Sequence, residues 1–182
     1  PGQYASVLGS STCGYCGTNQ FAENEAQTIC EPCPIGKMTQ PGQSGATSCQ
    51  SCGAGEYGAS CSPCAFGMFR PSKNEDGTDA DAIVCKTCPA GYHQDALRSA
   101  TCLQCIPGKY QQRAGEKDCI KCKVNQYAED SSATGCVDCP VGKTTIGEDG
   151  QSMCQSCPAG TYGEKCDDCS IGMYRPGGNE IS

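Results

Sequence analysis

The 182-residue chain has no tryptophan, one histidine and few large apolar residues: Leu, Ile, Val and Phe together number 19, about a tenth of the total. A globular domain of this length carries roughly twice that share, because apolar burial must offset the entropy of ordering the backbone. A single large hydrophobic core is excluded, and most α/β enzyme folds go with it. Long apolar runs are also missing. No stretch approaches the roughly 18 residues of a membrane span, or the shorter core of a signal peptide, so no membrane insertion is expected in this segment. Lys and Arg number 13 against 20 Asp and Glu, and the net charge of −7 argues against nucleic acid and anionic membranes as partners. The lone His93 leaves no His pair for a metal and no Ser-His-Asp set, so no enzyme is expected; His93 itself reads as a solvated turn residue. Asn19, Asn24, Asn74, Asn125 and Asn179 all lack Ser or Thr at the third position. N-glycosylation is therefore not expected, while Ser/Thr-rich loops leave O-linked glycans open.

What the chain has in abundance is cysteine: 20 residues, about 11%, above the 8–10% that marks a disulfide scaffold. Disorder would explain the scarcity of apolar residues but not the cysteines. All of them fall in C-x-x-C pairs, at 13/16, 30/33, 49/52, 61/64, 85/88, 102/105, 119/122, 136/139, 154/157 and 166/169. Successive pairs start 17, 19, 12, 24, 17, 17, 17, 18 and 12 residues apart, so the basic module is about 17 residues. A longer period lies above it. Cys13 to Cys119 is 106 residues, and Cys49 to Cys154 and Cys61 to Cys166 are each 105. Content recurs with the spacing: Gly67-Met-Phe-Arg-Pro71 returns as Gly172-Met-Tyr-Arg-Pro176, and Cys49-Gln-Ser-Cys52 as Cys154-Gln-Ser-Cys157. The expected organisation is a partial first super-repeat over 1–84, with pairs starting at 13, 30, 49 and 61 plus a long variant loop. A partial second follows over 85–182, with pairs starting at 85, 102, 119, 136, 154 and 166. Pro1-Gly-Gln-Tyr4 aligns with Pro107-Gly-Lys-Tyr110, and Ser182 falls inside the variant loop. The chain reads as a window on a longer repetitive protein.

Two slots recur inside the module. The third residue after each pair is Gly36, Gly55, Gly67, Gly91, Gly108, Gly142, Gly160 or Gly172, with Asn19 and Asn125 as the exceptions. Gly and Asn tolerate positive φ, so a tight turn is expected there. The fifth residue is aromatic at Phe21, Tyr57, Phe69, Tyr110, Tyr127, Tyr162 and Tyr174, with Tyr4 equivalent. One aromatic per module, laid over a disulfide, is expected to serve as a miniature core rather than as a sugar-stacking stripe. Gly, Pro or Cys interrupts nearly every ten-residue window, which leaves short strands and turns. The expected fold is small and disulfide-rich: an elongated tandem array of short β-hairpin modules, each contacting mainly its neighbours, with little or no helix.

Paired C-x-x-C motifs can also close tetrahedral zinc sites. The single His, the near-uniform gaps and the Gly-Pro-Tyr content favour disulfides, with a zinc-binding C-x-x-C array as the alternative.

Cys88-Pro-Ala-Gly-Tyr92, Cys105-Ile-Pro-Gly-Lys-Tyr110 and Cys157-Pro-Ala-Gly-Thr-Tyr162 resemble ephrin-receptor-like cysteine-rich repeats. Those repeats are similar to the first small module of TNF-receptor cysteine-rich domains, and they occur in receptor ectodomains and large protist surface proteins. The resemblance implies that the second Cys of each pair joins the first Cys of the next. Carried over, this gives Cys16–Cys30, Cys33–Cys49, Cys52–Cys61, Cys64–Cys85, Cys88–Cys102, Cys105–Cys119, Cys122–Cys136, Cys139–Cys154 and Cys157–Cys166. Cys13 and Cys169 would then have partners beyond the two ends. An interlocked scheme, such as Cys13–Cys30 with Cys16–Cys33, uses every Cys and stays open.

The loop between Cys64 and Cys85 gathers Asn74, Glu75, Asp76, Asp79 and Asp81 around Gly77. Asp76, Asp79 and Asp81 are candidate calcium ligands against the plainer reading of an acidic solvated loop; no other cofactor is expected. Ile35, Ile120, Val137, Val141, Ile171 and Met173 sit beside cysteines with little interior to enter, and exposure is expected for some of them. The functional expectation is a structural extracellular or cell-surface protein: a segment of a filament, stalk or appendage, a mastigoneme-like one included. Its partner would be further copies of itself or a partner fibre protein. The rival is the ligand-binding ectodomain of a receptor.

Overall fold

The computed structural model describes residues 1–7, 9–73, 83–163 and 165–175. Among these, no helix forms. Twenty two-residue strands pair consecutively into ten antiparallel two-stranded sheets. Each hairpin takes one strand from the fourth and fifth residues of a module and the other from the two residues inside the next C-x-x-C. Thus Lys109–Tyr110 pairs with Ile120–Lys121, and Gln126–Tyr127 with Val137–Asp138. Sheets this short have no stability of their own. The contacts fall into two compact bodies, one of Pro1–Lys86 with Ala96–Thr101 and one of Thr87–Asp95 with Cys102–Ser182.

The turn slot explains why each module enters a hairpin. All ten of its residues have positive φ, from 59° at Asn19 to 90° at Gly172. In each, the amide of the residue directly after the turn slot donates back three positions, as Lys109 N–H does to Ile106 C=O (3.0 Å) and Gln126 N–H to Lys123 C=O (2.9 Å). Positive φ at the third residue of such a turn defines type II, for which Gly and Asn are the fitting residues.

The same turn residue stitches its module to the next one. Its amide donates to the residue six past the following pair, as in Gly2 to Ala22, Gly91 to Gln111 and Gly108 to Ala128 (2.7–2.8 Å). Its carbonyl accepts from the second Cys of that pair, as in Cys105 N–H to Gly91 and Cys122 N–H to Gly108 (both 2.9 Å). In the longer loops a third bond ties the loop back: the residue four before the first Cys donates to the preceding module's second Cys, as Gly115 does to Cys88 and Ser132 to Cys105 (both 2.8 Å).

This stitching decides what is buried. The second Cys of most pairs is enclosed, with Cys16, Cys64, Cys88, Cys105 and Cys122 fully so. So is the sixth residue after the pair: Ala22, Thr39, Arg70, Gln94, Gln111, Ala128 and Thr145. The aromatic slot is not the core that its periodicity suggests. Tyr4, Phe21, Phe69, Tyr110 and Tyr127 are half-buried, and Tyr57, Tyr162 and Tyr174 are exposed. The space beneath them is taken up by backbone and sulfur. Modules also reach past their immediate neighbours. A Cβ added at Gly2, Gly55, Gly91 or Gly108 would lie only 2.0–2.2 Å from the carbonyl oxygen of Gly45, Arg98, Ser132 or Gly150, each two modules further on. Backbone meets backbone there, so these glycines serve a close approach as well as a turn.

Candidate functional site

Nine disulfides join Cys16–Cys30, Cys33–Cys49, Cys52–Cys61, Cys64–Cys85, Cys88–Cys102, Cys105–Cys119, Cys122–Cys136, Cys139–Cys154 and Cys157–Cys166. Their Cα–Cα distances run from 5.2 to 5.8 Å, within the usual span for a bridge. The connectivity is sequential rather than interlocked. Cys13 and Cys169 form no disulfide within the chain. Closing a loop of about 14 residues removes unfolded-chain entropy worth roughly 3 kcal/mol in the chain-entropy description. That contribution, repeated module by module, replaces the missing core.

The short modules, closed across nine residues by Cys52–Cys61 and Cys157–Cys166, are completed from outside. Their sixth residues are Gly58 and Gly163, and the following module supplies an arginine. Arg70 is buried, and its guanidinium donates Nη2 to Cys52 C=O at 2.8 Å and to Gly53 C=O, and Nε to Glu56 C=O. A planar fork with fixed donors suits three carbonyls converging from one turn. Arg175, its counterpart, donates Nη1 to Thr161 C=O at 3.0 Å. This clamp accounts for the recurrence of Gly-Met-Phe/Tyr-Arg-Pro. The motif is legible in the sequence but the role of its arginine is not, since nothing in the pattern shows that the neighbouring loop is too short to cover itself. Glu56 is also engaged: Oε1 pairs with Arg98 Nε at 3.2 Å, and Oε2 accepts Gly53 N–H at 3.1 Å.

The two Asn turns use a different partner. Asn19 and Asn125 donate their amides not to a carbonyl but to Thr39 Oγ1 (3.0 Å) and Thr145 Oγ1 (2.8 Å). Asn125 Oδ1 also accepts from Thr144 Oγ1 at 2.8 Å. Met38 stands in the place of Thr144, and Asn19 Oδ1 is buried without a partner.

The remaining sequence candidates are dispersed. His93 lies half-buried on the strand Tyr92–His93, its Nδ1 3.0 Å from Lys117 C=O, so it is a strand residue and not a solvated turn. Hydrogen bonds from Ser132 and Gln104 hold the neighbouring Tyr92 hydroxyl below the ordinary phenol range. Asp76, Asp79 and Asp81, with Asn74, Glu75 and Gly77, lie outside the described residues. Among the described residues no cluster of three His, Cys, Asp or Glu is placed to hold a metal. A cavity of about 530 Å³ opens between Tyr4, Ala5, Val7 and Ser10 on one side and residues 25–28 on the other, where Ala5 occupies the position that Gln111 fills in the later copy. Ile35, Ile120, Val137, Val141, Ile171 and Met173 are all exposed. No helix long and apolar enough to cross a membrane is present among the described residues.

Comparison with known proteins agrees with this scaffold. Residues 108–149, which hold the turns at Gly108, Asn125 and Gly142 and the whole of the Cys122–Cys136 loop, match the family described as tyrosine-protein kinase ephrin type A/B receptor-like. No curated protein matches the chain. The family match and nine disulfides, which persist in oxidising compartments, fit an extracellular or cell-surface location.

Proposed function

We propose that the chain is a structural stretch of an extracellular filament, stalk or surface appendage, assembled with further copies of itself or along a partner fibre. The observation that carries this reading is the recurrence of one stitch. A turn amide and a turn carbonyl link neighbouring modules in both bodies, and a loop amide adds a third bond in the longer loops. A scaffold of that kind sets positions at fixed intervals, and the 105-residue recurrence of Gly-Met-Phe/Tyr-Arg-Pro repeats the interval at larger scale. On this reading the chain has no catalytic centre and needs no cofactor. Its partners are proteins, with O-linked glycans on its polar loops, and not nucleic acid. Electron microscopy and light scattering of the native protein test it. Periodic higher-order species are expected, and a dispersed monomer at high concentration would contradict it.

The second reading, a ligand-binding receptor ectodomain, is favoured by the receptor origin of the matched family. It expects one module to bind a protein ligand without self-association.

A further inference from the structure

Charge is unevenly distributed along the chain. Residues 83–123 hold seven of its 13 cations and three of its 20 acids, leaving six cations against 17 acids elsewhere. Five of those cations belong to or adjoin one module. Lys109, Arg113 and Lys117 lie inside the loop closed by Cys105–Cys119, and Lys121 and Lys123 follow directly after it. Lys109 and Lys121 are direct cross-strand partners, an opposition of like charges that costs stability. No carboxylate among the described residues lies within 4.0 Å of Lys109, Arg113, Lys121 or Lys123. The scaffold does not require any of them. Their equivalents in the first super-repeat are Gln3, Val7, Ser11, Tyr15 and Gly17, all uncharged, on a hairpin of the same register.

The opposite charge has its own module. Residues 1–36 contain no Lys or Arg, and Glu23, Glu25 and Glu31 are exposed in and beside the loop closed by Cys16–Cys30. We propose that the basic module around Lys109 and Lys121 docks onto the acidic module around Glu23 and Glu25 of a second copy of this chain. The inference rests on the self-assembly reading above and names its contact. A long polyanion laid on the lysines would also meet the acidic remainder of the chain, whereas one acidic module satisfies them locally. The contact joins two different surfaces, which lets one copy engage two others and association extend copy by copy.

The test uses the full, disulfide-intact chain in three forms: the native sequence, Lys109→Glu with Lys121→Glu, and Glu23→Lys with Glu25→Lys. Sedimentation at low and high salt should show the native chain associating, and weakening as salt rises. Each variant alone should associate at least about tenfold more weakly, and an equimolar mixture of the two should recover association. Lys109→Gln with Lys121→Tyr, which installs the residues of the first super-repeat on a hairpin already known to accept them, should weaken association without disturbing the fold. Native association unaffected by any of these changes would overturn the docking and leave the filament reading standing. No native association at any concentration would overturn both. A native chain that instead binds a sulfated polysaccharide such as heparin, and loses it in Lys109→Glu with Lys121→Glu, would reassign the lysines to a polyanion.

Discussion

Asn19 and Asn125 occupy equivalent turns in the two super-repeats, and they are satisfied to different degrees. Both backbones hold positive φ, and both amides reach a threonine hydroxyl on the next module. Only Asn125 has its side chain answered, by Thr144; at the equivalent site Met38 packs instead against Cys52 and Cys61, and Asn19 Oδ1 is orphaned. The difference separates two layers of constraint. The positive-φ turn, the bond from its carbonyl to the next second Cys, and the disulfide recur in both copies. The side chain at a given slot is free to serve apolar packing in one copy and hydrogen bonding in the other, because each option contributes on the order of 1 kcal/mol.

Substitutions at compared sites can break or sharpen that distinction. The largest effect is expected at the positive-φ glycines. Gly55→Ala would force Cβ into Arg98 C=O as well as into a positive-φ backbone, while Gly42 has a similar φ and nothing within 4 Å. Gly55→Ala should cost about 3 kcal/mol and Gly42→Ala about 1 kcal/mol, read by denaturant unfolding. Equal costs would mean that the close approach two modules on is not a constraint. Next comes the arginine clamp. Arg70→Lys replaces a fork by a single ammonium and leaves buried carbonyls of Cys52, Gly53 and Glu56 short of donors, at about 2 kcal/mol. Arg175→Lys gives up one carbonyl contact and should cost under about 1 kcal/mol. Local hydrogen exchange in each short module distinguishes the two. The smallest effect should carry opposite signs. Asn19→Gly removes an unanswered oxygen and should stabilise by about 1 kcal/mol, whereas Asn125→Gly breaks the Thr144 bond and should destabilise by a similar amount. Thermal melts of the two variants, compared with the native chain, check the sign.

How much of this was legible in the sequence follows from the same two layers. The Gly/Asn slot announced a positive-φ turn, since few residue types tolerate that backbone, and all ten positions adopt it. The absence of helix and the hairpin per module followed from Gly, Pro and Cys punctuation. The aromatic slot misled, because its periodicity is that of a hairpin strand and not of an interior. The true interior position holds Ala, Thr, Arg and Gln, which share no hydropathy, so no pattern search would pick it out. Ala22, Arg70, Gln111 and Ala128 share a backbone bonded on both sides, as where Gln111 accepts from Gly91 and donates to Ala133, whereas Thr39 and Thr145 take the turn amide on their hydroxyls. The lysines of the Cys105–Cys119 module were visible as residues but not as a cluster until the hairpin register set Lys109 opposite Lys121.

The central claim is that sequential disulfides, one per module, stand in for a hydrophobic core. Proteolysis of the unreduced native protein followed by mass mapping tests it most directly. The account predicts linked peptides joining Cys88 to Cys102, Cys105 to Cys119 and Cys122 to Cys136, with no zinc by elemental analysis. Peptides joining Cys85 to Cys102, or four or more titratable thiols accompanied by zinc, would contradict it.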